Sequence, residues 1–267
     1  MRPYASLLRV RFINGLQYRA AAIGGASTQA FWGVMLVFIY RAFYAGQASA
    51  NGFAYVDFVS YTWLQQSFLA FCFLYDWDGE LLEMITSGGI GYELTRPVVL
   101  YRMWYAKLIS KRLSMAALRA GPVLLIALCL PYPYGLHPPA GPASLALFAL
   151  SLGLGLMLLV SIVMLIYLSI FKTMSAVGSI GVLSIVGEFF GGGTIPIPFM
   201  PDALQRVCYF MPFRWTNDFP FRVYSGSVPV PEALAGVAIQ AAWILALFAF
   251  GEFAMRRVSR LAAIQGG

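Results

Sequence analysis

Six stretches of this chain are apolar over about the length that a helix needs to cross a hydrocarbon layer. They run from Ala20 to Tyr40, Val56 to Tyr75, Leu113 to Leu130, Ala143 to Phe171, Met174 to Phe190 and Ala233 to Met255. About 20 apolar residues suffice, because in lipid every backbone amide must be satisfied within its own segment. The fourth stretch is long enough to tilt or to extend past the bilayer, and the fifth is short and runs into Gly191-Gly192-Gly193. Only 11% of the residues are charged, against about 25% in a soluble domain, which excludes an ordinary water-soluble globule. The reading is an all-α membrane protein, with one six-span domain over residues 20–267 and an N-terminal interfacial helix over 1–19.

Basic residues set the orientation, since cytoplasmic flanks are enriched in them. Four precede the first span, six lie between Arg96 and Arg119, one is Lys172 and three follow the last span. The opposite side has only Arg41, Arg206, Arg214 and Arg222. Both termini are therefore expected in the cytoplasm. A secretory signal peptide is the competing reading of the first 40 residues, but its apolar region is normally about 7 to 15 residues long, shorter than this one. Before the first span Tyr4, Leu8, Phe12 and Leu16 recur every fourth residue beside arginines, as in a helix lying in the interface, although Leu7, Val10 and Ile13 fall off the stripe.

Several chemistries are absent. The net charge of +7 is dispersed between apolar blocks rather than gathered on a solvated face, so no nucleic-acid partner is expected. Cys72, Cys129 and Cys208 are far apart and odd in number, and His137 is the only histidine, so no disulfide framework and no metal site is expected. The sequence holds no Gly-x-x-x-x-Gly-Lys-Ser/Thr loop to cradle phosphates, no His-Glu-x-x-His and no Gly-x-Ser-x-Gly, and the chain is read as not an enzyme.

In two places the chain is not simply a span. The segment 76–112 opens with Asp76, Asp78, Glu80 and Glu83, which suit a helix N-terminus. It continues through Gly88-Gly89-Ile90-Gly91-Tyr92-Glu93-Leu94-Thr95-Arg96-Pro97, where glycines permit a break and Pro97 turns the preceding residue away from helix. It reads as a short helix, a break and a second helix, or as a folded loop on the headgroups. The segment 191–232 begins with Gly191, Gly192 and Gly193, followed by Pro196, Pro198 and Pro201. These cannot continue a helix, yet Ile195, Ile197, Phe199 and Met200 among them stay apolar. Asp202 is expected to N-cap a short helix ending before Pro212, and a second runs from Phe213 to Tyr224 through Arg214, Asp218 and Arg222. The alternative is an interfacial loop anchored by aromatics.

Both segments resemble the permease subunits of type-2 ABC exporters, in the branch where two different permeases pair over an ATPase. The residues carrying the resemblance are Gly88 to Pro97, similar to a Gly-x-Ile-x-Tyr-x-Leu-x-Arg-Pro signature, and Ile195 to Gln205 with Met211-Pro212-Phe213-Arg214. The resemblance implies a coupling helix between spans two and three, seated on a separate ATPase, and short re-entrant helices capping the outer exit. It also implies two copies of that ATPase, holding ATP and Mg, a second and different permease, and export across a bacterial cell membrane. The coupling residues are then Asp78, Glu80, Glu83, Gly88, Gly91, Tyr92, Leu94, Arg96 and Pro97.

Polar groups within spans are expensive and usually face the bundle interior. Thr62, Gln65 and Gln66 in span two, and Ser179, Ser184 and Glu188 in or near span five, are the candidates for a substrate path. Glu188 could attract cationic cargo or pair with Arg206 or Arg214. An ion-coupled secondary transporter is the alternative function, and it predicts repeated halves and ionisable residues near the midplane.

Overall fold

The computed structural model describes residues 2–46, 49–50, 52–87, 89–94, 97–173 and 176–265. Among them four helices are long and apolar enough to cross a membrane: α2 (Arg19–Phe43), α7 (Leu100–Cys129), α8 (Pro142–Thr173) and α12 (Val230–Gln265). A helix α1 (Arg2–Gly15) precedes them, and a two-residue antiparallel ladder, Ser49–Ala50 against Phe53–Ala54, follows α2. The third apolar stretch begins earlier than the sequence suggests. Residues 100–112 are not part of a separate connection but form the first turns of α7, because Leu100, Tyr101, Trp104 and Leu108 give that segment its own buried face.

The second and fifth stretches fall short of full-length helices. α3 (Tyr55–Ser67) breaks at Phe68 and resumes for one turn as α4 (Leu69–Cys72). The 15 residues of α9 (Ala176–Phe190) extend about 22 Å, less than the roughly 30 Å of a hydrocarbon core. The end of α4 has a visible cause. If the helix continued, Leu74 N would donate to Ala70 O, but Arg112 Nη1 takes Ala70 O at 2.7 Å and Glu188 Oε1 accepts Leu74 N at 2.7 Å. Two charged side chains from α7 and α9 thus occupy both halves of one backbone bond. Arg112 Nη1 also reaches Phe73 O at 2.9 Å, and its Nη2 reaches Asp76 O at 3.2 Å.

The bundle is built around α8, which packs on α12, α11 (Asp218–Ser225), α9, α7 and α4. Of its apolar window 72% is buried, against 22% for α12, so α8 is the interior helix and α12 a peripheral one. Exposed Phe31, Phe38, Val182, Ile185, Leu245 and Phe250 make the periphery apolar, as lipid contact requires.

α1 lies along the first half of α7. Its stripe Tyr4, Leu8, Phe12 and Leu16 is half-buried, while Val10 and Ile13 point outward. Val99 N donates to Tyr4 Oη at 3.0 Å, and Ser110 Oγ donates to Leu8 O at 2.7 Å. The fourfold repeat therefore marks a helix-packing face.

Candidate functional site

The elbow between α4 and α7 starts at the interrupted helix. Asp78 N-caps α5 (Gly79–Thr86), its Oδ1 accepting from Leu81 N at 3.1 Å. Leu81 and Ile85 turn inward, whereas Glu83, Thr86 and Ser87 are exposed. α6 (Ile90–Leu94) follows and includes Gly91, Tyr92 and Leu94, with Ile90 buried and Gly91 exposed. Pro97 is exposed beyond it, and the expected coupling residues Gly88 and Arg96 lie outside the described residues. A short helix, a break and a second helix are thus present.

Cations of α7 hold the elbow. Lys111 Nζ donates to Asp76 Oδ1 and Trp77 O, both at 2.7 Å. Lys107 Nζ lies 2.7 Å from Glu80 Oε2 and 3.5 Å from Asp78 Oδ1. Arg11 of α1 grips both Glu80 oxygens at 3.0 Å. The Arg11 hydrogen bonds, assisted by Lys107, hold the Glu80 carboxyl well below its usual range, at about 2. Tyr167 of α8 closes the group by accepting from Asp78 N at 2.8 Å. Of the three acids read as coupling contacts, Asp78 and Glu80 are engaged within the chain, and Glu83 faces outward. Lys107, Lys111, Arg112 and Arg11 carry the elbow's attachment. Their signal in the sequence is the spacing of Lys107, Lys111 and Arg112, which puts three cations on neighbouring faces of one helix, opposite the acids 76, 78 and 80.

The second region begins at the end of α9. Gly192 adopts a positive φ of 79°, and the chain turns back through the short 3-10 turn Ile197–Phe199 into α10 (Asp202–Phe210). Asp202 does not cap this helix as its position suggests. Pro201 occupies the N-cap, and Asp202 is the first helical residue, where its charge still suits the helix end. A second 3-10 turn, Phe213–Thr216, then leads into α11, which closes on Gly226 with φ 81°. The turn lies deep along α8. A Cβ at Gly155 would stand 3.1 Å from Thr216 O, and Gly155 is about 20 Å along α8 from Pro142.

Polar side chains meet around this turn. Gln65 Nε2 donates to Asn217 Oδ1 at 3.3 Å, and Tyr61 Oη donates to Gly192 O at 3.3 Å. Gln240 of α12 donates to Trp215 O at 2.7 Å and to Ser151 O at 3.0 Å. Asp218, fully buried, faces Arg214 at 3.4 Å and Arg222 at 3.7 Å, and the Arg214 guanidinium stacks over the Tyr209 ring at 3.5 Å. Arg214 therefore pairs with Asp218, and Glu188 serves the Leu74 amide rather than Arg206 or Arg214. Close packing keeps Glu188 there, because a Cβ at Gly187 would come within 2.1 Å of Leu74 Cδ1.

The substrate-path candidates divide. Thr62, Gln65 and Gln66 are buried in α3, Ser184 is buried on α9, and Gln65 joins the cluster at Asn217. Ser179, in the first turn of α9, lies apart, its hydroxyl 3.2 Å from that of Thr173 at the end of α8. The charges Arg214, Asp218 and Arg222 stand out in the sequence, fourfold-spaced in an otherwise apolar segment, but Asn217 and the joining of these residues into one cluster do not.

No curated protein matches this chain, and no solved structure matches it. A family model described as ABC-2 family transporter protein matches residues 30–265. That span holds the elbow, all four long apolar helices but for the first turns of α2, and the turn on α8. The chain belongs to the ABC-2 transporter family, as a multi-pass membrane permease of an ABC transporter.

Proposed function

We propose that this chain forms half of the translocation path of an ATP-driven exporter, paired with a second, different permease and driven by two copies of an ATPase that binds ATP and Mg. In this reading the chain crosses a bacterial cell membrane six times, with α3–α4 and α9 as its two short spans and both termini in the cytoplasm. The elbow is the coupling element, Glu83 and the Gly91–Pro97 stretch are its contacts with the ATPase, and the segment 191–232 re-enters from the outer side. Thr62, Gln65, Gln66 and Ser184 line the path.

The observation that carries this reading is the attachment of the elbow. A push on α5 is passed to α7 through Arg112, Lys107 and Lys111 and to α9 through Glu188, so two spans move with it. Coupling of this kind shifts the population of a two-state bundle. The test is co-purification with its partner ATPase, comparing wild type with Glu83→Ala and Arg96→Ala. Weakened association with intact folding supports the coupling role, and unaltered association with unaltered ATP turnover refutes it. The half-buried Glu188 and the buried Asp218 favour an ion-coupled carrier as the second reading. Transport by vesicles holding this chain alone, sustained by an ion gradient without ATP, would establish that alternative.

A further inference from the structure

A cavity of about 540 Å³ opens between the end of α1, the start of α2 and α7. Arg11, Lys107, Lys111 and Arg119 line its polar wall with Asp76 and Asp78, and Ala21, Ala22, Met115 and Leu118 give it an apolar part. Its charges nearly cancel. Lys111 takes Asp76, Lys107 takes Asp78 and Glu80, and Arg11 takes Glu80. Counting Glu80, which is not itself a lining residue, these three cations meet three carboxylates, and Arg119 is the lining cation with no carboxylate partner among the described residues.

Arg119 is held at depth. Its guanidinium covers Gly25 of α2, where a Cβ would lie 2.6 Å from Cζ. Gly25 is about 9 Å along α2 from Arg19, inside the first apolar stretch. A cation in such a place is costly without an anion. The occupant that satisfies this cavity carries one negative charge beside an apolar body.

We propose that the cavity binds the headgroup of an anionic phospholipid, its phosphate on Arg119 and its glycerol and first acyl carbons along Ala21, Ala22 and Leu118. The volume lies within the range of small-ligand sites, and a single phosphodiester neutralises the one unmatched charge. The site is independent of the exporter reading.

The experiment titrates the full chain in detergent with phosphatidylglycerol, with phosphatidylcholine of the same acyl chains and with inorganic phosphate. It reads retained lipid by native mass spectrometry and the shift in unfolding temperature. Wild type should retain one phosphatidylglycerol and lose phosphatidylcholine. Arg119→Gln should weaken retention about tenfold, the effect of losing a hydrogen bond to a charged group, and Arg119→Lys should restore most of it. Ala21→Phe, at an exposed position that leaves every charge in place, should also displace the lipid and keeps the test open if Arg119→Gln does not fold. Equal retention of the two lipids, unchanged retention by Arg119→Gln, or equal stabilisation by inorganic phosphate alone would each overturn the lipid assignment.

Discussion

The elbow and the turn on α8 both concentrate charge, but they handle it in opposite ways. At the elbow, Asp76, Asp78 and Glu80 meet cations that belong to other helices, and several of these groups remain partly exposed. At the turn, Asp218 and its two arginines lie within nine residues of one another and Asp218 has no exposure. Exposed pairs contribute little and can exchange partners, whereas a buried group that loses its counter-ion leaves an uncompensated charge. The outer pairs of the elbow can therefore exchange partners around the buried Arg112, whereas the turn is built for permanence.

Removing Asp218 should break this contrast most severely. Asp218→Ala strands Arg214 and Arg222, and breaking a buried pair in this manner costs about 3–5 kcal/mol. Chemical unfolding in micelles should reveal the loss, and a loss well under 1 kcal/mol would mean that water reaches the turn. Glu188→Leu comes next. It leaves Leu74 N without an acceptor, at about 1–3 kcal/mol, and amide exchange at Leu74 should accelerate. Glu188→Gln, which keeps an acceptor, should restore most of the protection.

The smallest effect concerns pH. Because the folded Glu80 carboxyl titrates at about 2, below its ordinary value of 4.5, its contacts with Arg11 and Lys107 stabilise the elbow fully above that ordinary value. This contribution should fade as pH falls from about 4.5 through about 2. Limited proteolysis at the elbow should follow that window in wild type, and Glu80→Gln should flatten the dependence. Half the Glu80 side chain is exposed, so the effect should remain small.

These cases also show what the sequence reveals. Long apolar runs are a local property, and α2 and α8 follow them closely, whereas α7 begins 13 residues before its run, at Leu100. The elbow was legible from its acids, glycines and Pro97 for the same reason. The end of α4 was not, because it depends on Arg112 and Glu188, residues distant in the chain that separate one amide from its carbonyl. The role of Glu188 was hidden likewise, since its partner is a backbone N–H, which no side-chain pattern marks. Asp202 shows the limit of a local rule, as Pro201 already occupied the position that a capping aspartate would take.

The elbow and α7 should move as one body, joined by the buried Arg112. This is tested most directly by substrate-stimulated ATP turnover in the reconstituted complex, comparing wild type with Arg112→Gln in preparations that assemble equally well. Basal turnover should persist while stimulation by transported substrate is lost. Full stimulation with Arg112 replaced, alongside faster amide exchange at Phe73–Trp77 confirming that the elbow has been released, would contradict the joint movement.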